Sequence, residues 1–198
     1  MNLLAHFSLT SDSEALLAGS FIADFLRGER APNFPSDVYR GILHHRRIDA
    51  FTDSHPLVIR SKRRLWRRHR HYAAVIVDIF YDHLLAHNWH HYSSMTLEEF
   101  ARRTYCSLAQ FQSHFPARAN KGFKRMHAGN WLVHYRRIEG VDRALQGLAQ
   151  RSTFESEMAR AGEDLRRDYR RFEEDFGAFF PLLQLYSREL IEGGELQG

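Results

Sequence analysis

The sequence predicts an all-α protein that folds as one domain over residues 1–198. Apolar residues recur at intervals of three and four along most of the chain, which is the spacing of helices with one buried face. No segment shows the strict polar–apolar alternation of a half-buried strand. The length of 198 residues suits a single domain, and the 5 prolines and 12 glycines do not cluster into a linker.

The first predicted helix follows Ser11–Ser13, a segment in which each residue is an N-cap candidate. An apolar stripe runs through Leu16–Phe25 at helical spacing. Gly28 is suited to a C-cap, and Pro32 and Pro35 mark the loop that follows. The segment is therefore predicted to form one amphipathic helix, with an N-cap among Ser11–Ser13 and a C-cap at Gly28.

Polar residues and prolines also delimit the next three helices. Ser36 can open the second helix, which must end near Ser54 because Pro56 disfavours the helical state at His55. Pro56 can itself occupy the first turn of a third helix. An apolar face within residues 72–90 predicts a fourth helix.

Two patterns of the capping-box type predict helix starts in the second half of the chain. Thr96–Glu99 opens a helix that Pro116 stops. Ser152–Glu155 opens a long helix that Pro181 should kink or break. Between them, the glycines of residues 117–140 predict short helical pieces.

The bulk composition limits the compartment and the partners. Lys and Arg outnumber Asp and Glu by 28 to 24, and the net charge of +4 favours nucleic acid, an anionic membrane or an acidic protein as partner. The single cysteine, Cys106, cannot form an internal disulfide. The first residues lack the basic start of a signal peptide, and no apolar run approaches the ~20 residues of a membrane span. We therefore expect a cytoplasmic protein without a membrane span.

The 13 histidines direct attention to metal binding, and the densest cluster lies on the second predicted helix. His45, Asp49 and Asp53 are spaced by four residues, so their side chains share one face. One imidazole and two carboxylates in a row are suitable metal ligands. The alternative is a solvated face whose histidine and aspartates pair with nearby arginines, and residue types alone favour that alternative.

A second cluster lies on the fourth predicted helix. Asp78 and Asp82 share one face, and His83 follows directly. Apolar neighbours predict that this helix is buried, and buried carboxylates are costly unless they are paired or bind a cation. Arg46 or Arg47 can supply such a pair in place of a metal. Two helices that both present carboxylates and imidazoles at this spacing favour a metal site.

Two further polar residues stand in apolar surroundings. Asp24 interrupts the apolar run of the first helix and needs a partner there, which an arginine can also supply. His6 lies just before that helix, and a lone histidine in such a segment is usually structural. The chain has no phosphate-binding glycine loop and no paired cysteines of the zinc type.

A strongly basic segment forms the third predicted helix. Residues 60–71 contain seven Lys and Arg and no acid, with Leu65 and Trp66 interrupting the charge. Such a surface suits an acidic protein partner, although nucleic acid would fit equally well on charge alone. An ordinary solvated face is less convincing, because no acid neutralises the segment. The basic residues are Arg60, Lys62, Arg63, Arg64, Arg67, Arg68 and Arg70.

These elements together resemble the acyl carrier protein phosphodiesterases. The resemblance covers the chain well up to about Trp89, and its most specific part is the run His45–Asp53. Beyond Trp89 the best match is the segment of residues 130–136. The other matching elements are Met1–His6, Ala23–Phe25, Arg27–Gly28 and Asp78–His83.

The resemblance implies hydrolysis of the phosphodiester that joins 4′-phosphopantetheine to a serine of holo-acyl carrier protein. It implies a divalent metal, with Mn²⁺ preferred over Mg²⁺ or Fe²⁺. It also implies a divergent relative of the HD phosphohydrolase bundle, although the order Asp82-His83 departs from the usual His-Asp order. Acyl carrier proteins are small, acidic and helical, so the basic segment becomes a hypothetical docking surface and nucleic acid is not expected as a partner.

Resemblance and spacing together suggest roles for the candidate residues. Arg46 or Arg47 can clamp the phosphate and stabilise transition-state charge. His6 or Asp53 can orient the attacking water or protonate the serine leaving group. The metal-ligand candidates are His45, Asp49, Asp82 and His83, followed by Asp24 and Asp78.

Two other functions remain open at this point. An HD-like phosphohydrolase acting on a nucleotide or small phosphodiester would keep the metal cluster but would not need the basic helix. A non-enzymatic module that binds nucleic acid through the basic helix predicts no bound metal and a steep loss of affinity with salt. The second alternative leaves the buried acids at positions 24, 78 and 82 without a purpose.

Overall fold

The computed structural model describes residues 2–26, 34–152, 156–194 and 196. These residues form α-helices and short 3-10 helices without a strand, which confirms the predicted all-α class. The 3-10 helices are Arg70–Tyr72, Trp89–His91, Gln112–His114 and Glu157–Arg160. The α-helices are α1 (Leu3–Ser8), α2 (Glu14–Ala23), α3 (Ser36–Ser54), α4 (Pro56–His69), α5 (Ala73–His87), α6 (Leu97–Gln110), α7 (Ala117–Ala128), α8 (Trp131–His134), α9 (Ile138–Ala149) and α10 (Ala161–Glu192).

Three predicted helix starts are confirmed. At the start of α2, the hydroxyl of Ser13 accepts the backbone N–H of Leu16 at 3.3 Å. At the start of α6, the hydroxyl of Thr96 accepts the backbone N–H of Glu99 at 3.2 Å. Pro56 occupies the first turn of α4, where its missing N–H costs no hydrogen bond.

The predicted start of the long C-terminal helix is wrong. Helix α10 begins at Ala161, after a 3-10 helix, and not soon after Ser152. The predicted capping partner Glu155 lies outside the described residues, as do the predicted C-cap Gly28 and the loop residue Pro32.

The predicted break at Pro181 does not occur, because α10 continues through this residue. Proline removes one helical hydrogen bond, but the neighbouring side chains of Phe179, Phe180 and Leu183 are fully buried and hold this part of α10 against the core. The departure from helical geometry lies instead at Asp168 (φ −111°, ψ 21°).

Helix α1 forms where the sequence pattern predicted none. Six residues are too few for a stable isolated helix. The carboxylate of Asp82, from α5, accepts the backbone N–H groups of Leu4 at 2.8 Å and of Ala5 at 3.1 Å. The N-terminal amides of α1 are thereby satisfied by a side chain that is distant in sequence, and this tertiary contact explains the helix.

Helix α5 lies in the core and packs against α1, α4, α9 and α10. Its aromatic residues meet those of α10: the ring centroids of Phe80 and Phe172 are 5.1 Å apart, and those of Tyr81 and Phe176 are 5.3 Å apart. Edge-on contacts of this kind add to the free energy gained by burying the rings. No helix of the described residues is both long and apolar enough to cross a membrane.

Helices α2 and α3 cross with their backbones in direct contact at two glycines. A Cβ atom on Gly19 would lie 1.9 Å from the carbonyl oxygen of Val38, and one on Gly41 would lie 2.3 Å from that of Leu16. Neither position can carry a side chain without separating the helices. This crossing brings the C-terminal end of α2 next to the middle of α3.

Helices α4 and α10 are joined by a buried carboxylate. Asp175 is 0% exposed, and its oxygens accept hydrogen bonds from the Nε of Arg60 at 2.7 Å, from the hydroxyl of Ser61 at 2.8 Å and from the guanidinium of Arg64. Burial alone would raise the pKa of Asp175, but the hydrogen bonds from Arg60, Arg64 and Ser61 lower it. The basic helix α4 is therefore partly a structural element.

Placing a methyl group at the α2–α3 crossing should destabilise the fold. We expect Gly19→Ala and Gly41→Ala each to lower the free energy of unfolding by about 3 kcal/mol, since the clash is with backbone atoms that cannot rotate away. Urea denaturation measures the change. Gly177→Ala in α10 is the matched control: nothing lies within 4 Å of its would-be Cβ, so this variant should gain about 1 kcal/mol in helix propensity. Equal stability of all three variants would contradict the crossing.

Removing the charge of Asp175 should destabilise the protein in a pH-dependent way. We expect Asp175→Asn to lower the free energy of unfolding at neutral pH by about 2 kcal/mol, the worth of hydrogen bonds to a buried charged group. A carboxylate whose folded pKa is lowered stabilises the fold above its unfolded pKa and loses that contribution as the pH falls through the folded value. The difference between wild type and variant should therefore shrink below a pH of about 3.8. Denaturation curves of wild type and variant, recorded at neutral pH and again below a pH of about 3.8, test this. A difference in the free energy of unfolding that does not change with pH would contradict it. Asp53→Asn, at an exposed ion pair, should change stability by less than about 1 kcal/mol.

Candidate metal centre

Two histidines and an aspartate from α1 and α3 meet in one cluster. The Nε2 of His6 lies 3.1 Å from one oxygen of Asp49, and the Nε2 of His45 lies 3.2 Å from the other. The two imidazole rings stack with centroids 3.8 Å apart and planes 12° apart. Within the described ranges, these are the only three side chains whose ligating atoms all lie within 4.8 Å of one another.

Helix α2 supplies two more polar side chains to the same cluster. One oxygen of Asp24, at the C-cap of α2, lies 3.4 Å from the Nε2 of His45. The hydroxyl of Ser20 lies 3.3 Å from the Nδ1 of the same ring. Both nitrogens of His45 therefore have partners on α2, and the ring orientation is set by the α2–α3 crossing.

The cluster is buried on its histidine side and open on its aspartate side. The side chains of His6 and His45 are 1% and 5% exposed, whereas those of Asp24 and Asp49 are each 41% exposed. A ligand can therefore reach the cluster past the two carboxylates.

The protonation states of the cluster differ between the two histidines. Burial and the charge of His45 lower the pKa of His6 to about 3, so His6 is neutral at neutral pH. Burial also opposes charge on His45, but hydrogen bonds with Asp24 and Asp49 raise its pKa to about 9. Burial would raise the pKa of Asp49, but the hydrogen bonds with His45 and His6 lower it well below its usual range. One positive charge is thus held beside two carboxylates.

This donor set fits a divalent cation. A neutral imidazole and ionised carboxylates are the forms that ligate metals, and a bound cation would take the place of the proton on His45. The Nδ1 of His6 is buried without a hydrogen-bond partner in the described structure, so its Nε2 is the nitrogen that faces the other donors. His6, His45 and Asp49 are the residues that can hold a metal, and Asp24 is next to them.

The three residues of the second predicted cluster, Asp78, Asp82 and His83, do not form one group in the structure. Both oxygens of Asp82 accept backbone N–H groups of α1, as described above. The Nδ1 of His83 donates to the carbonyl of Tyr135 at 2.7 Å, and its Nε2 lies 3.3 Å from the hydroxyl of Tyr169. Burial raises the pKa of Asp78, and the negative charge of Asp49 raises it further. The three-residue group does not include Asp82 or His83.

The predicted catalytic residues beyond His6 lie on the exposed side of α3. Arg46 and Arg47 are exposed and form no ion pair with a described residue. Arg46 precedes Asp49 by three residues and so shares its side of the helix, whereas Arg47 points further away. Asp53 accepts a hydrogen bond from the Nζ of Lys62 at 2.6 Å.

Four of the seven basic residues of segment 60–70, which spans most of α4 and Arg70 after it, pair with acids of the same chain. Arg60 and Arg64 bind Asp175, and Lys62 binds Asp53. Arg68 binds Glu157 at 2.7 Å, Asp164 at 3.2 Å and Glu163 at 3.4 Å. The cations left exposed on this helix and its end, next to the 52% exposed Trp66, are Arg63, Arg67 and Arg70.

Sequence reasoning missed Ser20, although a signal was present. Ser20 and Asp24 are four residues apart on α2, the same spacing as His45 and Asp49 on α3. Two such pairs on consecutive helices predict facing polar side chains, but which faces meet depends on the glycine crossing.

The comparisons with known proteins agree on one family. The profile of the family described as acyl carrier protein phosphodiesterase matches residues 1–183. A protein of this name from Enterobacter sp. (strain 638) is 32% identical over 95% of this chain and 98% of its own length. Those from Photorhabdus laumondii subsp. laumondii and Salmonella agona (strain SL483) are 30% and 33% identical, covering 92% and 91% of this chain and 93% and 94% of their own. No solved structure matches the chain.

Removing the anchor of α1 should loosen His6 and weaken metal binding. We expect Asp82→Ala to lower the free energy of unfolding by about 2 kcal/mol, because two buried N–H groups lose their acceptor. Mn²⁺ affinity should fall with it, since α1 carries His6; isothermal titration measures this directly. Asp82→Asn retains one acceptor oxygen and should lie between the two. Asp12→Ala, at an exposed acid, is the control. Wild-type Mn²⁺ affinity in Asp82→Ala would show that α1 needs no anchor.

Proposed function

The chain belongs to the acyl carrier protein phosphodiesterase family, and on this premise we propose that it hydrolyses the phosphodiester joining 4′-phosphopantetheine to a serine of holo-acyl carrier protein. The products are apo-acyl carrier protein and free phosphopantetheine. The protein is accordingly an enzyme, and its substrate is a modified protein. We place the reaction at the centre formed by His6, His45 and Asp49.

The observation that carries this proposal is the Asp49 carboxylate, held between two imidazole nitrogens and open to solvent on one side. His6, His45 and Asp49 would hold a divalent metal, with Asp24 as a further oxygen donor. A bound cation lowers the pKa of a water molecule and shields the negative phosphoryl oxygens from the nucleophile. We propose Mn²⁺ as the native metal, with Mg²⁺ or Fe²⁺ as alternatives.

The surrounding residues of the chain orient this centre. Ser20 holds the imidazole of His45 through its Nδ1, a contact of the kind that fixes the tautomer and direction of a ligating histidine. Asp82 holds α1, and therefore His6, through two backbone amides. The low pKa of His6, about 3, favours its use as a neutral ligand over its use as a proton donor.

Arg46 is the better supported of the two phosphate-clamp candidates. It is exposed, has no ion pair with a described residue and lies on the side of α3 that carries Asp49. A guanidinium there can donate two hydrogen bonds to phosphoryl oxygens as negative charge develops on them. Asp53 lies one turn beyond Asp49 and is held by Lys62, so its proposed role is to orient water next to the phosphate.

The proposal also covers location and partners. We propose a cytoplasmic enzyme whose macromolecular partner is the carrier protein, with no role for nucleic acid. The single cysteine, Cys106, is free and exposed, which is compatible with a reducing compartment.

Mass spectrometry of holo-acyl carrier protein tests reaction and site together. Wild-type enzyme with Mn²⁺ should convert the holo form to the apo form by loss of one phosphopantetheine, and a chelator should stop the conversion. Asp49→Ala should abolish it, because both imidazole contacts and a metal donor are lost. Ser20→Ala should lower the rate about ten- to a hundredfold, the usual effect of removing a partner of a metal ligand.

The control is Asp37→Ala, at an exposed acid on the same helix that pairs only with Arg40 among the described residues. This variant should cleave holo-acyl carrier protein at the wild-type rate. An intact holo form after incubation with folded, metal-loaded wild type would refute the proposed substrate. Hydrolysis of nucleotides by the same sample would then assign the centre to a nucleotide phosphohydrolase.

A further inference from the structure

The longest stretch of the chain without an acidic residue does not contain helix α4. From residue 100 to residue 138 the sequence contains no Asp or Glu. Helix α7 lies in the middle of this stretch and exposes its four cations to solvent. They are Arg118, Lys121, Lys124 and Arg125.

The charge of α7 is not neutralised by the described part of the chain. None of its four cations forms an ion pair with a described residue. Elsewhere in the same stretch, Arg102 and Arg103 bind Glu99, and Arg136 binds Glu98. Helix α4 likewise directs four of its six cations to acids of α10, α3 and the segment before α10. Helix α7 therefore presents four cations to solvent that no acid of the described residues neutralises, more than the three left exposed on α4 and its end.

Helix α7 has one buried face, and its four cations lie on the solvent-exposed remainder of the helix surface. Ala119, Phe123 and Met126 are buried against the core. Gly122 lies at the edge of this buried face. Arg118 precedes Gly122 by four residues, and Arg125 follows it by three. At helical spacing these two arginines are the neighbours of Gly122 on the helix surface.

This edge of α7 lies against the residues that follow α2, next to Asp24 in the sequence. A Cβ atom on Gly122 would lie 2.5 Å from the ring of Phe25, so α7 and the end of α2 are in direct contact there. The ring of Phe123 also meets that of Phe21, with centroids 6.2 Å apart. Phe25 directly follows Asp24 in the sequence. The carboxylate of Asp24 contacts His45 and is one of the two partly exposed carboxylates of the centre.

We propose that the exposed face of α7, centred on Arg118, Lys121 and Arg125, is the surface on which the acidic carrier protein docks. The inference rests on the proposed function, in which the scissile phosphodiester is attached to an acidic protein. A phosphodiester that enters past Asp24 brings the protein surface around its serine against the adjacent helix. Unpaired cations there attract the carboxylates of an acidic partner over a distance.

The test compares charge reversals on three surfaces with equal change in charge. The α7 variant is Arg118→Glu/Arg125→Glu, and the α4 variant, which tests the sequence-based docking surface, is Arg63→Glu/Arg67→Glu. The control is Arg143→Glu/Arg170→Glu, two exposed arginines of α9 and α10 that have no ion pair with a described residue. Affinity for apo-acyl carrier protein is measured by calorimetry over a range of NaCl concentrations, and KM and kcat are measured with the holo form.

The α7 variant should raise both Kd and KM about ten- to a hundredfold and flatten their salt dependence, since steering by charge is screened by salt. Its kcat should stay near the wild-type value, because the lost contacts are equal in the ground and transition states. Arg118→Gln/Arg125→Gln should give an intermediate loss. The control variant should bind as wild type does.

Wild-type Kd and salt dependence in the α7 variant would overturn the docking surface, and so would an equal or larger loss in the α4 variant. Binding of the apo form does not require hydrolysis, so this readout separates the two proposals. A wild-type protein that binds the carrier but leaves the holo form intact would refute the proposed reaction and leave the docking surface standing.

Discussion

Helices α2 and α3 touch backbone to backbone, and the geometry of the centre depends on this contact. Gly19 and Gly41 let the helices approach to a distance that no side chain at either position would allow. The approach places Ser20 and Asp24 against the imidazole of His45, so that both ring nitrogens find partners on the facing helix. A crossing wider by the size of one methyl group would take Ser20 away from the buried Nδ1 of His45, and an unsatisfied buried nitrogen is costly in itself. Packing and site chemistry are therefore set by the same two residues.

Aspartates have different roles in the centre and in the helices that support it. In the centre, Asp24 and Asp49 face two imidazoles and solvent, and their charge is available to a cation. In the α4–α10 contact, Asp175 is enclosed by Arg60, Arg64 and Ser61, and its charge serves only to join two helices. The difference lies in what surrounds each carboxylate, and residue type does not reveal it. The basic helix is likewise divided between cations that hold the fold and cations that face solvent.

Local patterns predicted much of this architecture, and long-range contacts account for what they missed. Helical periodicity and caps such as Ser13 and Thr96 predicted most helices, and the four-residue spacing of His45 and Asp49 put both on one face of α3. Helix α1 was missed because it is too short to be stable alone and depends on Asp82, which lies 78 residues after Leu4. Its spacing to Asp78 made Asp82 a candidate metal ligand, whereas its two oxygens accept the backbone N–H groups of α1. The position of a side chain on its helix follows from sequence, whereas the element that it meets does not.

The order of these parts along the chain has a consequence for how the enzyme is made. His6, Asp24, His45 and Asp49 all precede Asp82 in the sequence and therefore emerge from the ribosome before it, and chains fold from the N-terminus as they emerge. Until α5 joins the fold, α1 has no acceptor for its first amides and His6 has no fixed position. A nascent chain therefore carries all four side chains of the cluster before α5 can anchor α1, and the cluster takes its final geometry only when the core is complete.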